Sequence, residues 1–357
     1  MFGERLHRAR KAAGLSMSAL ATQVGISANA IKKYEHGENM PSSGKLLKIA
    51  KALGVRTEYF FRPVKVAITG VEYRKRANTP KKTLDRINGD VWDQAERWAE
   101  LLHLYPDSDM PITGFSLPVG LSNQIASYDQ LEGLANHVRQ IWRLGQNPIP
   151  DLVDTLESKG VMVIVTSVEV GAKFDGLAGS MGDTPLIVIS RQQPGDRQRF
   201  TLAHELGHLI VSGRLSTKLD EEKACNRFAG AFLLPEESIN QRLGRHRNAI
   251  EPQELYMLKH EYGLSMAAVL LRALQCGVIT DYRYKGYNIE FAKKGWKKLE
   301  PGAPYPDEET FLFKQLVYRG LAEEHIGESK AAELLGMALT QFHRERKLGE
   351  GGAATYQ

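Results

Sequence analysis

The sequence predicts a mainly α protein with a small β-sheet: an all-α bundle at the N-terminus, then an α+β domain, then a helical C-terminal segment. Three observations carry that expectation. Short apolar-periodic stretches punctuated by glycine fill residues 1–62, two β-rich runs precede a longer helical stretch carrying His204-Glu205-x-x-His208, and helical spacing returns over residues 311–346. At 357 residues the chain exceeds one ordinary core and suggests two or three domains. Its 42% hydrophobic and 25% charged content is that of a soluble globular protein. The start, Met1-Phe2-Gly3-Glu4-Arg5, lacks the apolar core of a signal peptide, and no apolar run nears the roughly 18 residues of a membrane span. Cys225 and Cys276 are too few for a disulfide framework and form no Cys-x-x-Cys knuckle. A cytoplasmic protein with no membrane partner is expected.

Charge is uneven along the chain. Residues 1–65 hold 12 Lys+Arg against 4 Asp+Glu, whereas the remainder holds 35 against 38, so the net +5 conceals a basic N-terminal block. A small basic domain on a slightly acidic body points to a polyanion partner. Within that block, residues 6–13 read as a helix ended by Gly14. Ser16 then caps a helix over 17–24 that Gly25 terminates, and Ser27 caps another over 28–35 closed by His36-Gly37. A further helix spans 46–53 before Gly54. Short helices joined by a tight glycine turn are the layout of a helix-turn-helix.

Residues 1–62 resemble the Cro/cI-type (XRE family) DNA-binding domain. The likeness rests on Leu15-Ser16, Leu20-Ala21, Val24-Gly25-Ile26-Ser27, Ile31, Tyr34-Glu35-His36-Gly37, Pro41 and residues 46–55. It implies that 28–35 is the recognition helix, with Ser27, Ala28, Asn29, Lys32 and Lys33 turned towards a double-stranded DNA operator. Met17 departs from the pattern, standing where the family usually has a Gln that touches the DNA backbone. Asn29 suits an adenine edge, and Lys32 and Lys33 suit guanine or phosphate. Domains of this kind commonly bind paired half-sites, so a homodimer is expected.

Residues 63–126 read as a connecting arm. Residues 64–68 alternate like a strand, Arg74-Lys75-Arg76 is a basic cluster, and a polar helix over 82–104 carries an apolar stripe of Val91, Ala95, Trp98, Leu101 and Leu102. The Pro-, Ser- and Asp-containing stretch 106–118 marks a boundary. A second unit, 127–279, opens with an amphipathic helix over 131–142 and a helix capped near Asp151. Strands are expected over 161–165 and 185–190, separated by the glycine-punctuated segment 174–179, before Pro194-Gly195-Asp196 breaks the chain.

The next helix holds the chemistry. At 3.6 residues per turn His204 and His208 fall one above the other, so both imidazoles reach a single metal ion, while Leu202, Leu206, Leu209 and Ile210 face a core on the opposite side. Glu205 beside them suits a general base that takes a proton from a water acidified by Zn2+. A sheet edge beside such a helix has a use, since in single-metal proteases the substrate backbone adds as an extra strand. A third protein ligand is required. Asp220, Glu221 and Glu222 open the following helix, and helical geometry alone leaves Glu221 and Glu222 undivided.

This unit is similar to the ImmA/IrrE family of metallopeptidases. The matching residues are Trp142-Arg143-Leu144-Gly145, Pro148-Ile149-Pro150, residues 156–161, Phe174-Asp175-Gly176-Leu177, residues 195–209, residues 222–229 and Leu233-Leu234-Pro235. The resemblance implies a zinc-dependent endopeptidase with a zincin-like active site that often cuts a DNA-bound repressor. It also selects Glu222 as third ligand, four residues before the Asn of the Cys/Ala-Asn pair. Cys225 reads as a small buried packing residue. His7, His36, His103, His137, His246, His260, His325 and His343 have no partner at ligand spacing.

Helices over 255–262 and 266–276 complete the second unit. Residues 280–306 read as an aromatic and basic loop, and residues 280–357 together as a linker and helical tail. In that tail Glu328-Ser329-Lys330-Ala331-Ala332-Glu333-Leu334-Leu335-Gly336-Met337 is a second helix-turn-helix-like signature. Its Glu323, Glu324, Glu328 and Glu333 disfavour phosphate contact. Disorder is expected over residues 349–357. The combined expectation is a transcriptional regulator with a peptidase domain that cleaves a repressor or antitoxin-like partner, or this chain itself. The alternatives are a DNA-binding sensor that cuts nothing and a toxin–antitoxin or phage-defence component.

Overall fold

The computed structural model describes residues 2–62, 68–73, 80–105, 112–122, 124–169 and 174–347. The basic cluster 74–76, the expected strand residues 64–67 and the tail from 349 lie outside them. The N-terminal bundle comprises α1 (Phe2–Ala12), α2 (Met17–Val24), α3 (Ala28–Glu35), α4 (Ser43–Leu53) and a 3-10 turn, Thr57–Phe61. Its caps act as the sequence suggests. The hydroxyl of Ser16 accepts from the Ala19 amide at 3.0 Å and that of Ser27 from the Ala30 amide at 3.1 Å, while Gly25 adopts φ 75° to end α2. Leu6, Leu20, Ile31, Ile49 and Phe60 fill the core between these helices.

Strand β1 (Ile68–Tyr73) and the 24-residue α5 (Lys81–Leu104) follow. Then come α6 (Gln130–Ile141), α7 (Leu152–Glu157), β2 (Met162–Thr166), β3 (Gly176–Met181), β4 (Thr184–Ser190) and α8 (Gly195–Val211), the helix with the two histidines. The sheet order is β1-β3-β4-β2, with β2 parallel to β4, β3 antiparallel to β4 and β1 antiparallel to β3. Strand β3 was not expected: its Gly, Ala and Ser content reads as a loop, yet it closes a hairpin with β4 in which Met181 pairs with Thr184.

Helices α9 (Glu221–Leu233), α10 (Glu236–Leu243), α11 (Pro252–Tyr262), α12 (Met266–Gln275) and α13 (Asp281–Lys293) complete this unit. The expected loop over 280–306 is corrected by α13. Thr280 caps that helix through the Arg283 amide, Phe291 is buried, and Tyr284 and Tyr287 lie against the core at helical spacing. Aromatic content there reflects packing rather than a loop. Three more helices, α14 (Leu312–Ala322), α15 (Glu328–Leu334) and α16 (Leu339–Arg346), end the described chain.

The sheet divides two cores. Val163 and Val165 of β2 with Ile187 and Ile189 of β4 face the core built from α6 to α13. Met162, Ile164, Leu186 and Val188, alternating with them, face a second core shared by α5 and α14 to α16. Burial on both faces explains why these strands read as continuous apolar runs. The arm and the tail therefore pack together: Trp98 meets Phe313 at 5.0 Å between ring centroids, Arg97 donates to the Leu334 carbonyl and Lys330 pairs with Glu100. No helix among the described residues is long and apolar enough to cross a membrane.

Candidate metal centre and helix-turn-helix surface

The centre lies where α8 and α9 cross. A side chain at Gly207 would stand 3.2 Å from the Cys225 Cα, so the glycine sets how closely the two helices approach. The first turns of α8 are fixed by buried polar contacts. Arg199 donates to Glu308 at 2.9 Å, to the Tyr262 carbonyl and to the Ile149 carbonyl, and the Gln198 amide donates to the carbonyls of Ser190 and Gln193. With α8 held in this way, the histidines one and two turns further on need little adjustment to converge.

His204 is fully buried, His208 half-buried, and Glu205 is 2% exposed. The Nδ1 of His204 donates to Asn226 Oδ1 at 2.9 Å, and the Nδ1 of His208 donates to Glu221 Oε1 at 3.1 Å. The orientation of each ring is thereby set by an oxygen on α9. Those two Nε2 atoms face each other at 3.0 Å. Glu222 completes the group, with Oε1 3.3 Å from His208 Nε2 and Oε2 3.6 Å from His204 Nε2.

Two imidazole nitrogens and a carboxylate converging within 3.0–3.6 Å form a donor set of the kind that holds a cation. Donors 2.0–2.1 Å from a tetrahedral zinc ion stand about 3.3 Å apart, which is the spacing of these three. The donor set therefore fits zinc. Glu221 and Glu222, undivided by helical geometry, part here: Glu221 sits behind the His208 ring and Glu222 on the side where the nitrogens meet. Among the described residues Cys225 also comes near, its sulfur lying within 4.8 Å of nitrogens on both rings. The roles of Asn226 and Glu221 as partners of the ring Nδ1 atoms escaped sequence reasoning. The Asn that follows Cys225 was the available signal.

On the N-terminal bundle, Ser27, Asn29, Lys32 and Lys33 are exposed and Ala28 half-buried, while Ile31 and Tyr34 of the same helix point inward. Helix α3 is tied to α1 by Glu35, which accepts from Arg10 and from His7, the latter at 3.0 Å. Burial opposes ionisation of Glu35, but these two partners hold its carboxyl below the usual range. The bundle in turn docks on α5. Arg5 and Glu96 form a buried ion pair, Arg8 lies over the Trp92 ring at 4.6 Å, Lys11 reaches Asp85 at 2.9 Å, and Gly89 lies against Ala12 so closely that a Cβ would not fit.

These features define a helix-turn-helix protein joined to a domain with a His-Glu-x-x-His metal-binding geometry. Comparison with known proteins agrees: residues 6–60 match the helix-turn-helix family model, and residues 156–274 match the model of the IrrE N-terminal-like domain, a peptidase family. Over 59 residues the chain is 44% identical to an uncharacterized transcriptional regulator in the ATPase CF(0) region of Rhodospirillum rubrum, covering 16% of this chain and 55% of that one. Over 105 residues it is 30% identical to repressor protein C2 of Salmonella phage P22, covering 29% of this chain and 46% of the relative. The chain thus spans about half the length of these curated relatives. The structure of ComR from Streptococcus suis aligns over 97% of this chain and 94% of its own, but with 14% identity and a TM-score of 0.16 it carries no statement about fold.

Proposed function

We propose that this protein is a DNA-binding transcriptional regulator whose second domain is a zinc-dependent endopeptidase acting on a repressor or antitoxin-like protein, or on the chain itself. The observation that carries the reading is the convergence of His204 Nε2, His208 Nε2 and the Glu222 carboxylate, with Glu205 buried on the same helix. His204, His208 and Glu222 would hold zinc, which would supply Lewis acidity towards a water and a peptide carbonyl. Glu205 accepts the water's proton on its carboxylate and later delivers it to the leaving amine. Asn226 and Glu221 orient the two rings and keep the Nε2 lone pairs directed inward.

The other half of the reading rests on α3. Asn29, Lys32 and Lys33 are exposed on it, with Ser27 and the half-buried Ala28 at its start, and entry into the major groove of double-stranded DNA as a homodimer would place these five against bases and phosphates. The repressor relatives and the helix-turn-helix match support this assignment. The test is Glu205→Gln. The purified, zinc-loaded variant is incubated with the protein encoded beside this gene, and operator binding is followed by gel shift. Wild type is expected to yield discrete fragments that a chelator suppresses, and the variant none, with zinc content and operator affinity unchanged. Cleavage by the variant at the wild-type rate would rule Glu205 out as the base.

A further inference from the structure

Residues 280–299 carry six Lys and Arg against two Asp and Glu, whereas the rest of the chain from residue 66 onward carries 29 against 36. Helix α13 sorts this segment by face. Tyr284, Tyr287 and Phe291 pack on the domain core, while Tyr282, Lys285, Ile289 and Lys293 stand exposed on the opposite side. Past the end of the helix, Lys294 lies over the Trp296 ring at 4.5 Å, and Lys297, Lys298 and Leu299 are exposed. A second basic stretch adjoins the first. The Arg247 amide donates to the Val278 carbonyl at 2.7 Å and the Ile250 amide to the Tyr287 hydroxyl at 2.6 Å, which ties the segment carrying exposed Arg245 and His246 to α13.

Packing accounts for the inward aromatic rings and leaves the charge without a structural use. Lys285 pairs with Asp281, and Lys294 with Glu290, each across one turn at the surface. Among the described residues no carboxylate pairs with Arg245, Arg283, Lys293, Lys297 or Lys298. We propose that this surface is a second DNA contact, which takes the phosphate backbone of a duplex without reading its sequence. Lysine is a compact point charge that suits phosphates without a shaped pocket, and these lysines stand on the exposed side of a helix. The 13 residues of α13 span about 20 Å, along which a duplex presents one charge every ~1.7 Å. The helix-turn-helix already gives this chain a duplex to hold, and a second contact on the same chain acts at raised local concentration. Helices α13 and α5 belong to cores on opposite faces of the sheet, and the bundle docks on α5, so this contact is separate from that of α3.

The experiment uses the full-length protein and a fluorescein-labelled duplex of random sequence, about 30 base pairs long, followed by anisotropy from about 50 to about 200 mM salt. Each phosphate contact contributes about 0.9 to the slope of log affinity against log salt concentration. Arg283→Ala, Lys293→Ala, Lys297→Ala and Lys298→Ala together are expected to lower that slope by about 2 to 4 and to weaken binding at low salt at least about tenfold. An unchanged slope, with helical circular dichroism intact, would overturn the proposal. If the fourfold variant does not fold, Lys297→Gln with Lys298→Gln takes its place, with an expected fall of about 1 to 2 in the slope and the same contrary result. A second comparison isolates this surface from α3. Asn29→Ala, Lys32→Ala and Lys33→Ala are expected to leave residual duplex binding that vanishes when the α13 changes are added, and residual binding that survives them would contradict the proposal. Poly-L-glutamate is the third probe: if the α13 changes abolish its binding and spare that of the duplex, the surface belongs to an acidic protein and the DNA assignment falls. No arm depends on the metal centre, so failure of the peptidase reading leaves the outcome unaffected.

Discussion

The Nδ1 atoms of His204 and His208 decide what their Nε2 atoms can do. Each ring donates to an oxygen on α9, and the two Nε2 atoms are thereby turned toward one point beside Glu222. Replacing Asn226 with Ala removes the partner of the buried ring while leaving every proposed ligand in place. Zinc affinity measured by competition with a chromophoric chelator is expected to fall about 10- to 100-fold. Unchanged affinity would show that the ring needs no orienting partner. His204, Glu205 and His208 were legible in the sequence because a four-residue spacing on one helix brings them together without reference to the rest of the fold. The work of Asn226 and Glu221 was not legible, since it depends on how α9 crosses α8, and that crossing is set by Gly207 against Cys225.

Among the elements, α5 was foreseen as a helix but not as a docking platform. Its apolar stripe, Val91, Ala95, Trp98 and Leu101, announced that one face is covered, whereas the polar face that receives α1 shows no hydrophobic signal. That contact is held by Glu96, whose carboxyl burial pushes upward despite the neighbouring Arg5 and Arg8. Glu96→Ala takes away the carboxylate that pairs with the buried Arg5 guanidinium, and removal of one partner from a buried pair costs roughly 3–5 kcal/mol. The bundle is expected to separate from α5 and the joining segment to be cut much faster by trypsin, while the bundle keeps its own core. An unchanged digestion pattern would mean that Gly89 against Ala12 and the remaining ion pairs suffice. Strands β2 and β4 were legible from apolar runs, but β3, with glycine, alanine and serine, has no pattern of its own and is a strand only because β4 lies beside it.

Across the whole molecule, the tail with the helix-turn-helix-like signature packs one of its faces into the core behind the sheet. Leu316, Val317, Ala331, Leu334 and Phe342 close the core behind the sheet, and Arg62 of the bundle reaches Glu333 of α15 at 2.9 Å. Sequence spacing found these helices but not their destination, which is set by contacts more than 200 residues apart. Global stability should also carry a pH signature from Glu157. This residue is 4% exposed, and burial, reinforced by Asp151 and Asp154, pushes its carboxyl from 4.5 up to about 8. Because the folded carboxyl keeps its proton where the unfolded chain has lost it, stability falls as pH rises from about 4.5 to about 8 and levels off above, by up to about 1.4 kcal/mol per unit. Glu157→Gln should therefore stabilise the protein at pH 8 by more than at pH 5 in denaturant titrations. An equal effect at both values would place the ionised carboxylate in the fold.

X-ray absorption at the zinc edge, on protein reconstituted with one equivalent of metal, examines the centre most directly. Two imidazoles and oxygen neighbours at about 2.0–2.1 Å, with no sulfur, are expected for His204, His208 and Glu222. A sulfur neighbour at about 2.3 Å would hand the third position to Cys225, and failure to retain zinc at all would contradict the metal centre itself.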